Sequence, residues 1–453
     1  MEQKRFKSQV ETIRQAFGYI NRFRNETFVI KISSPLITHP SFPILIADLV
    51  LLHRMGIRIV IVPGSRQRID EILDTYGIGY EYVHGVRVTP PEAVPFIKMA
   101  SFDVSNKVMT LLADNNTHAI IGNSVKARSI GVRNGTDYKF SGMVDSIKTD
   151  IITKTLDDGM VPIFPNIGWS ATGKPYNISS NELAMAISRE LNAAKLFFLT
   201  DFGGIPAQGH TLPPDTYVTS SGIISQLTVE EAGHLLDRDA PGAMHVGMEL
   251  LSLAYTACRS GVKRVHILDG RAEGMILKEI FSNRGFGTMI YSNQHENIRK
   301  MRHSDIPYVM SIMEDAIEEE SLVSRSPETL QEKMDDFMVY EVDGTIHGCG
   351  ALHQHQGKTT EIAGIAVDLT YANLGIGKKI VSFLIETATK MKSIKVFVLT
   401  TQASDWFQDL GFKEGKIEEL PAERKKAYNK KRGSRVLIYT ISKARRSKII
   451  SSE

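Results

Sequence analysis

The stretch Glu361–Lys379, EIAGIAVDLTYANLGIGKK, carries the strongest local signal in the chain. Glu361–Val367 is apolar or small except for one acid, which is the pattern of a buried strand. Gly375 and Gly377 follow where the chain turns into a helix expected over Lys378–Lys392. A glycine-bearing turn that feeds a helix start exposes unpaired backbone N–H groups at the positive end of the helix dipole. Such a turn suits a phosphate or pyrophosphate. Taken alone, it suits an ordinary structural turn equally well.

The surroundings add to this. After the helix comes a strand, Lys395–Thr400, then Trp406-Phe407-Gln408 and Gly411-Phe412. The order resembles the GNAT acetyltransferases, whose turn reads Gln/Arg-x-x-Gly-x-Gly/Ala. That resemblance implies a strand that splays from its neighbour, with Ile365, Ala366 and Val367 holding the acetyl-CoA arm through their backbone. It further implies pyrophosphate binding by Ala372, Asn373, Leu374, Gly375, Ile376, Gly377 and Lys378. Ala372 stands where the family usually has Arg or Gln, but backbone amides do most of the binding there.

Upstream of this stretch, Ile298–Arg302 reads as a strand and Asp305 opens a helix with Pro307 in its first turn. Strands at Met338–Val342 and Ile346–Leu352 meet at the turn Asp343-Gly344. Further back the pattern alternates strand and helix. Strands are expected at Phe28–Ile32, Arg58–Val62, His118–Gly122, Val161–Phe164, Lys195–Thr200, Arg264–Leu268 and Thr288–Tyr291, with helices such as Ile44–Met55 between them. Lys126–Ser146 carries turn signals and reads as a hairpin. The βαβ order predicts an open, mostly parallel sheet with helices on both faces and right-handed crossovers. Phe6, Val10, Ile13, Phe17 and Ile20 fall at helical spacing ahead of the first strand. The expected organisation is an N-terminal helix within 1–26, an α/β domain over 27–291, a short polar linker at 292–296, and a smaller α+β domain over 297–453.

Composition narrows the class. A hydrophobic content of 42% with 23% charged residues is ordinary for a globular protein. A net charge of +3 is too small to argue for nucleic acid. No apolar run is long enough for a membrane span, and the polar start MEQKRFKSQV lacks a signal-peptide core. The two cysteines, Cys258 and Cys349, predict free thiols in a reducing, cytoplasmic setting. No cluster with metal-ligand spacing stands out.

In the first domain, Tyr82–Thr89 (YVHGVRVT), Thr200-Asp201 and the long stretch 261–290 (GVKRVHILDGRAEGMILKEIFSNRGFGTMI) resemble the amino-acid kinase family, closest to its N-acetylglutamate kinase branch. The last stretch resembles the arginine-binding end of arginine-inhibited kinases and synthases. It implies L-arginine as an effector held by His266, Glu279, Gly285 and Gly287. The phosphate-handling parts depart from the family. Lys31 is followed by Ile32-Ser33-Ser34 instead of Gly-Gly, Val62-Pro63-Gly64-Ser65 replaces His-Gly-Gly-Gly, and Gly247-Met248-Glu249-Leu250-Leu251 lacks the family lysine. Phosphoryl transfer needs close backbone approach and cations on the moving charge, so a regulatory and scaffolding role is expected.

A kinase-like domain stripped of its phosphate contacts and fused to a GNAT domain resembles the N-acetylglutamate synthase family. The resemblance spans nearly the whole chain. It implies transfer of acetyl from acetyl-CoA to the α-amine of L-glutamate, the first step of arginine biosynthesis, by a homo-oligomer built through the kinase-like domain. Glu361 is the candidate base. On a regular strand it would share a face with Ala363, Ile365 and Val367, apolar surroundings that suit a proton acceptor. Ser404 matches the position of a hydroxyl near the departing sulfur, though a serine at a helix start is often only a cap. Arg325, Arg424 and Arg432 are the candidates for glutamate's two carboxylates, which arginine grips bidentately. Gly433 stands where the family often has a second arginine. His353 and His355, two apart on a strand, read as a surface pair. The alternatives are a bifunctional synthase and kinase, a non-catalytic arginine sensor that only binds acetyl-CoA, and an acetyltransferase for another amine.

Overall fold

The computed structural model describes residues 23–212, 216, 218–219, 221–238, 246–281, 286–292, 296–318, 321–342, 345–368 and 375–442. The N-terminal helix expected over 6–24 lies outside these residues except at its end, where Phe23 is buried. The chain divides into two compact units, Met1–Asn293 and Gln294–Glu453.

The first unit is organised on an eight-stranded sheet. Its order is Gln226–Thr228, Thr288–Tyr291, Arg264–Asp269, Lys195–Thr200, Thr27–Ile32, Arg58–Pro63, Val161–Ile163 and Ala119–Ile121. All neighbours run parallel except the pair Arg264–Asp269 and Thr288–Tyr291. The sequence dictates this arrangement because the central strands are apolar on both faces. Val29, Val60, Val62, Leu196 and Phe198 point to one layer, where helices Ser180–Glu190 and Val246–Arg259 cover them. Phe28, Ile30, Ile32, Ile61 and Phe197 point to the other, against helices Phe42–Arg54 and Val94–Asp114. Each such fully buried side chain contributes about 1.5–3 kcal/mol, enough to fix the register.

The segment read as a lone hairpin is more. Val125–Ser129 and Ser141–Ile147 do pair antiparallel, but Ile167–Trp169 and Pro175–Ile178 join them to close a small barrel. Those two strands are only three and four residues long, so periodicity does not reveal them.

The second unit is a seven-stranded sheet in the order Glu296–Lys300, Phe337–Val342, Thr345–His355, Thr359–Val367, Lys395–Thr400, Arg435–Thr440 and Lys413–Gly415. Helix Ile376–Lys390 covers one face through Ile380, Leu384 and Ala388. Helix Ile306–Glu318 covers the other through Val309 and Met313. The helix expected over Lys378–Lys392 begins two residues earlier, so Gly377 sits inside its first turn.

Within this sheet one parallel pair opens. Thr359–Val367 meets Lys395–Thr400 only from Thr359 to Ile362, and beyond that its backbone has no strand partner on that side among the described residues. On its other side the register with Thr345–His355 shifts between Cys349 and Ala351. The extra residue lies at Gly364, whose φ is +62° and where a Cβ would meet Phe337, Arg325 and Met313 at 3.3–3.4 Å. The bulge reverses the alternation of side chains. Ile362, Ile365 and Val367 all face the helix Ile376–Lys390. The expectation that Glu361 shares a face with Ile365 and Val367 is therefore wrong: the inserted residue puts them on opposite faces.

Candidate functional site

Glu361 follows the tight turn Gln356–Lys358 by a few residues, and its Cα pairs across the hairpin with His353. It is 4% exposed, but not among apolar neighbours. Arg424 donates from Nε to both its oxygens, at 3.1 and 2.9 Å. His355 Nε2 lies 3.2 Å from Oε2. His353 is in turn held by Asp336, with Nδ1 at 2.6 Å from the carboxylate. The two histidine side chains are 14% and 16% exposed, so they are not the surface pair that spacing suggested. The hairpin turn folds them onto the acid's strand. Their spacing on the strand antiparallel to Glu361's, six residues away across a Gly357 turn, was the available signal.

The three arginines come from separate segments. Arg325 precedes helix Pro327–Glu332, Arg424 sits on Ala422–Lys426, and Arg432 ends the short turn Lys430–Arg432. They converge electrostatically. Burial pulls the Arg325 guanidinium below its ordinary value, Cys349 and Glu361 oppose this, and the positive charges of Arg432 and Arg424 add to it. Arg325 Nη1 is buried with no hydrogen-bond partner. Arg432 donates to Ser321 O at 3.1 Å.

Beyond the bulge, Ile365, Ala366 and Val367 lie along the opening of the sheet. Gly375 caps the helix Ile376–Lys390 with φ +67°, a left-handed conformation that favours glycine. The first turn of that helix carries no acid and includes Lys378. A Cβ on Gly377 would stand 3.2 Å from the Trp406 ring. Ala372, Asn373 and Leu374 lie outside the described residues. Ser404 opens the helix Ser404–Asp409 after the second arm of the opening and is buried. The N-cap position belongs to Ala403, and no side chain makes a capping bond, so the capping role considered for Ser404 does not apply.

This opened sheet has known counterparts. Residues 26–269 match the amino acid kinase family and residues 306–412 the acetyltransferase (GNAT) family. The amino-acid acetyltransferase of Aeromonas salmonicida is 34% identical over 448 residues, covering 96% of this chain and 99% of that protein. The chain belongs to the amino-acid acetyltransferases. The Salmonella typhimurium amino-acid acetyltransferase is 33% identical over 443 residues, covering 95% of this chain and 97% of its own. Among solved structures, N-acetylglutamate synthase from Neisseria gonorrhoeae complexed with coenzyme A and L-arginine matches with TM-score 0.80 and 29% identity, covering 96% of this chain and 99% of that one. The same synthase complexed with coenzyme A and N-acetyl-glutamate matches with TM-score 0.60 and 30% identity, at the same coverage.

In the kinase-like unit of this acetyltransferase, His266 and Glu279 are brought together. His266 Nδ1 lies 2.7 Å from Glu279 Oε1, and the side chains are 2% and 3% exposed. The other carboxylate oxygen accepts from the Phe286 amide at 2.9 Å. The His266 ring stacks on Phe197, its Cα partner in the sheet, at 4.8 Å. Burial, with Lys195 nearby, pushes the imidazole down to about 4 against the pull of Glu279. Burial acts to raise the Glu279 carboxyl, but His266, the Phe286 amide and Lys195 together hold it below its ordinary range. The pair is thus a neutral imidazole donating to a carboxylate. His266 Nε2 is buried without a hydrogen-bond partner. At Gly287 a Cβ would fall 2.1 Å from Ile267 O, so the backbone approach there requires glycine. Gly285 lies outside the described residues. Phe286 lies within the Gly285–Gly287 stretch expected to contribute backbone groups, but its own amide is spent on Glu279.

The Lys31 end of the sheet differs. Lys31 is buried, and desolvation pushes its ammonium down to about 8 despite Glu249 and Asp201. Among the described residues no group of three or more His, Cys, Asp and Glu side chains is placed to hold a metal ion. No described helix is long and apolar enough to cross a membrane. Cys258 and Cys349 are free and buried.

Proposed function

We propose that this acetyltransferase is an N-acetylglutamate synthase, which moves acetyl from acetyl-CoA to the α-amine of L-glutamate and responds to L-arginine at its kinase-like unit. The observation that carries the acceptor is the arginine cluster. Arg424 and Arg432 both act on the Arg325 guanidinium, Glu361 opposes them, and Arg325 Nη1 is buried without a hydrogen-bond partner among the described residues. An acceptor with two carboxylates and one ammonium supplies what that cluster lacks. The Neisseria synthase, with N-acetyl-glutamate bound in one complex, supports the same reading.

The chemistry follows from placement. The backbone of Ile365, Ala366 and Val367, unpaired on the side of the opening, would hold the pantetheine arm, and the turn through Gly375 to Lys378 the pyrophosphate. Glu361 takes a proton from the glutamate ammonium, and the freed amine attacks the thioester carbonyl. The C–S bond breaks, Ser404 gives its proton to the departing thiolate, and the surplus proton shed by the newly acylated nitrogen restores the Ser404 hydroxyl. Acetyl-CoA supplies the activated acyl group.

At the other unit, L-arginine meets the Glu279 carboxylate and the orphaned Nε2 of His266, with Gly287 packed closely on Ile267 beside them. The N-acetylglutamate synthase of Neisseria gonorrhoeae complexed with L-arginine supports this assignment. The enzyme works in the cytoplasm, in keeping with its free thiols, and assembles as a homo-oligomer through the kinase-like unit. The test is release of free CoA thiol by purified protein with and without L-glutamate, repeated with L-arginine. Glutamate-dependent release that arginine changes is expected. Release independent of glutamate, or none, would remove the assignment.

A further inference from the structure

We infer that Arg424 is a latch on Glu361, released by a second carboxylate on the acceptor, and that this release makes the site select dicarboxylic amino acids. The inference rests on the reading of Glu361 as the base. It starts from the contacts of that acid. Arg424 Nε bridges both oxygens at 3.1 and 2.9 Å, and His355 Nε2 stands 3.2 Å from Oε2. A carboxylate accepts protons through the same lone pairs that accept hydrogen bonds. The Arg424 guanidinium therefore takes up acceptor sites on both oxygens and sets a positive charge against the acid, which opposes the approach of an incoming ammonium.

Two features show that this contact is exchangeable. Arg424 is 29% exposed against 6% for Glu361, and it sits on a five-residue helix, Ala422–Lys426, with no buried residue of its own. The latch therefore reaches inward from a lightly anchored segment, whereas the acid is fixed in the sheet. The charge balance also favours exchange. Arg424 is bound to Glu361, Arg325 is also drawn to that carboxylate, and burial with the positive charges of Arg432 and Arg424 already disfavours the charge on Arg325. An acceptor bearing one carboxylate satisfies the buried Nη1 of Arg325 and leaves Arg424 on the base. A second carboxylate gives Arg424 a new partner of the same chemistry, and Glu361 is freed to take the ammonium proton. Binding and activation are then one event, as expected when part of the binding interaction is spent on assembling the catalytic site.

The latch and a plain carboxylate clamp predict opposite results for the same variant. L-glutamine matches glutamate in shape but lacks the distal charge. If Arg424 only binds substrate, Arg424→Ala lowers turnover of glutamate and leaves glutamine unimproved. If Arg424 also restrains the base, Arg424→Ala loses roughly tenfold or more in kcat/KM for glutamate yet gains severalfold in kcat for glutamine. Acetyl-CoA affinity, measured by calorimetry, reports whether the variant is folded. A second arm needs only the wild type: millimolar propionate, a free carboxylate, is expected to stimulate acetylation of glutamine severalfold. A glutamine kcat in a folded Arg424→Ala protein at or below the wild-type value overturns the latch, as does a lack of propionate stimulation should the variant not fold. Absence of glutamate-dependent CoA release in the wild type would instead overturn the function on which the latch rests.

Discussion

Each unit of the chain holds a histidine against a glutamate, and the two pairs are built for different ends. His266 and Glu279 are sealed, at 2% and 3% exposure, and Glu279's second oxygen is capped by the Phe286 amide. His355 and Glu361 are 14% and 6% exposed, and the glutamate is further engaged by the more exposed Arg424. A sealed pair with a neutral imidazole does not exchange protons with solvent on a catalytic cycle, but it offers a fixed carboxylate and one unpartnered ring nitrogen to a cation-bearing ligand. A pair reached by a half-buried arginine on a lightly anchored segment can be opened and closed. Under the proposed function, the same two residue types serve as a sensor or a base according to what surrounds them.

The comparison can be broken most sharply at Glu361. Glu361→Gln keeps the shape and removes the proton acceptor, so glutamate-dependent turnover should fall roughly 10²- to 10⁴-fold with acetyl-CoA affinity unchanged. Turnover near wild type would show that the exchangeable pair is not the base. Next in size is Arg325→Ala, which withdraws the buried guanidinium with the orphaned Nη1. A charge-assisted contact is worth about 1.5–3 kcal/mol, so KM for glutamate should rise about 10- to 100-fold while KM for acetyl-CoA holds.

Smaller effects concern the sealed pair. The His266 imidazole is pushed from 6.5 to about 4. Between those values the unfolded chain takes up a proton that the folded chain refuses, so stability falls as pH drops through that window and the loss levels off below it. The slope is about 1 kcal/mol per pH unit. Urea midpoints of the kinase-like transition from pH 7 to 5 should show it, and His266→Gln should flatten it. The smallest effect belongs to Lys31, whose ammonium is buried and pushed down to about 8. Lys31→Met should stabilise the unit by about 1 kcal/mol, read as a higher melting temperature, with glutamate acetylation unchanged.

The sequence made some of this legible and hid the rest for physical reasons. The parallel sheet was readable because strands such as Ile59–Val62 and Leu196–Leu199 are apolar on both faces, which only a doubly covered sheet explains. The helix start at Gly375 was readable because its left-handed backbone restricts the residue. Arg325, Arg424 and Arg432 could be named from family resemblance, but nothing in their spacing says that the other two act on Arg325 or that Arg424 rests on Glu361. The surroundings of Glu361 were misread because one inserted residue at Gly364 reverses the face of every later side chain. His355 was set aside as a surface residue because its partner is fixed by cross-strand register, which periodicity does not encode. Phe286 contributes an amide, and a backbone group has no letter in the sequence.

The central claim, that the two pairs do separate jobs within one enzyme, is tested most directly by an arginine titration of glutamate-dependent thiol release in Glu279→Ala beside the wild type. The account predicts a basal rate close to wild type and a flat arginine response in the variant. An unchanged arginine dose response would contradict it.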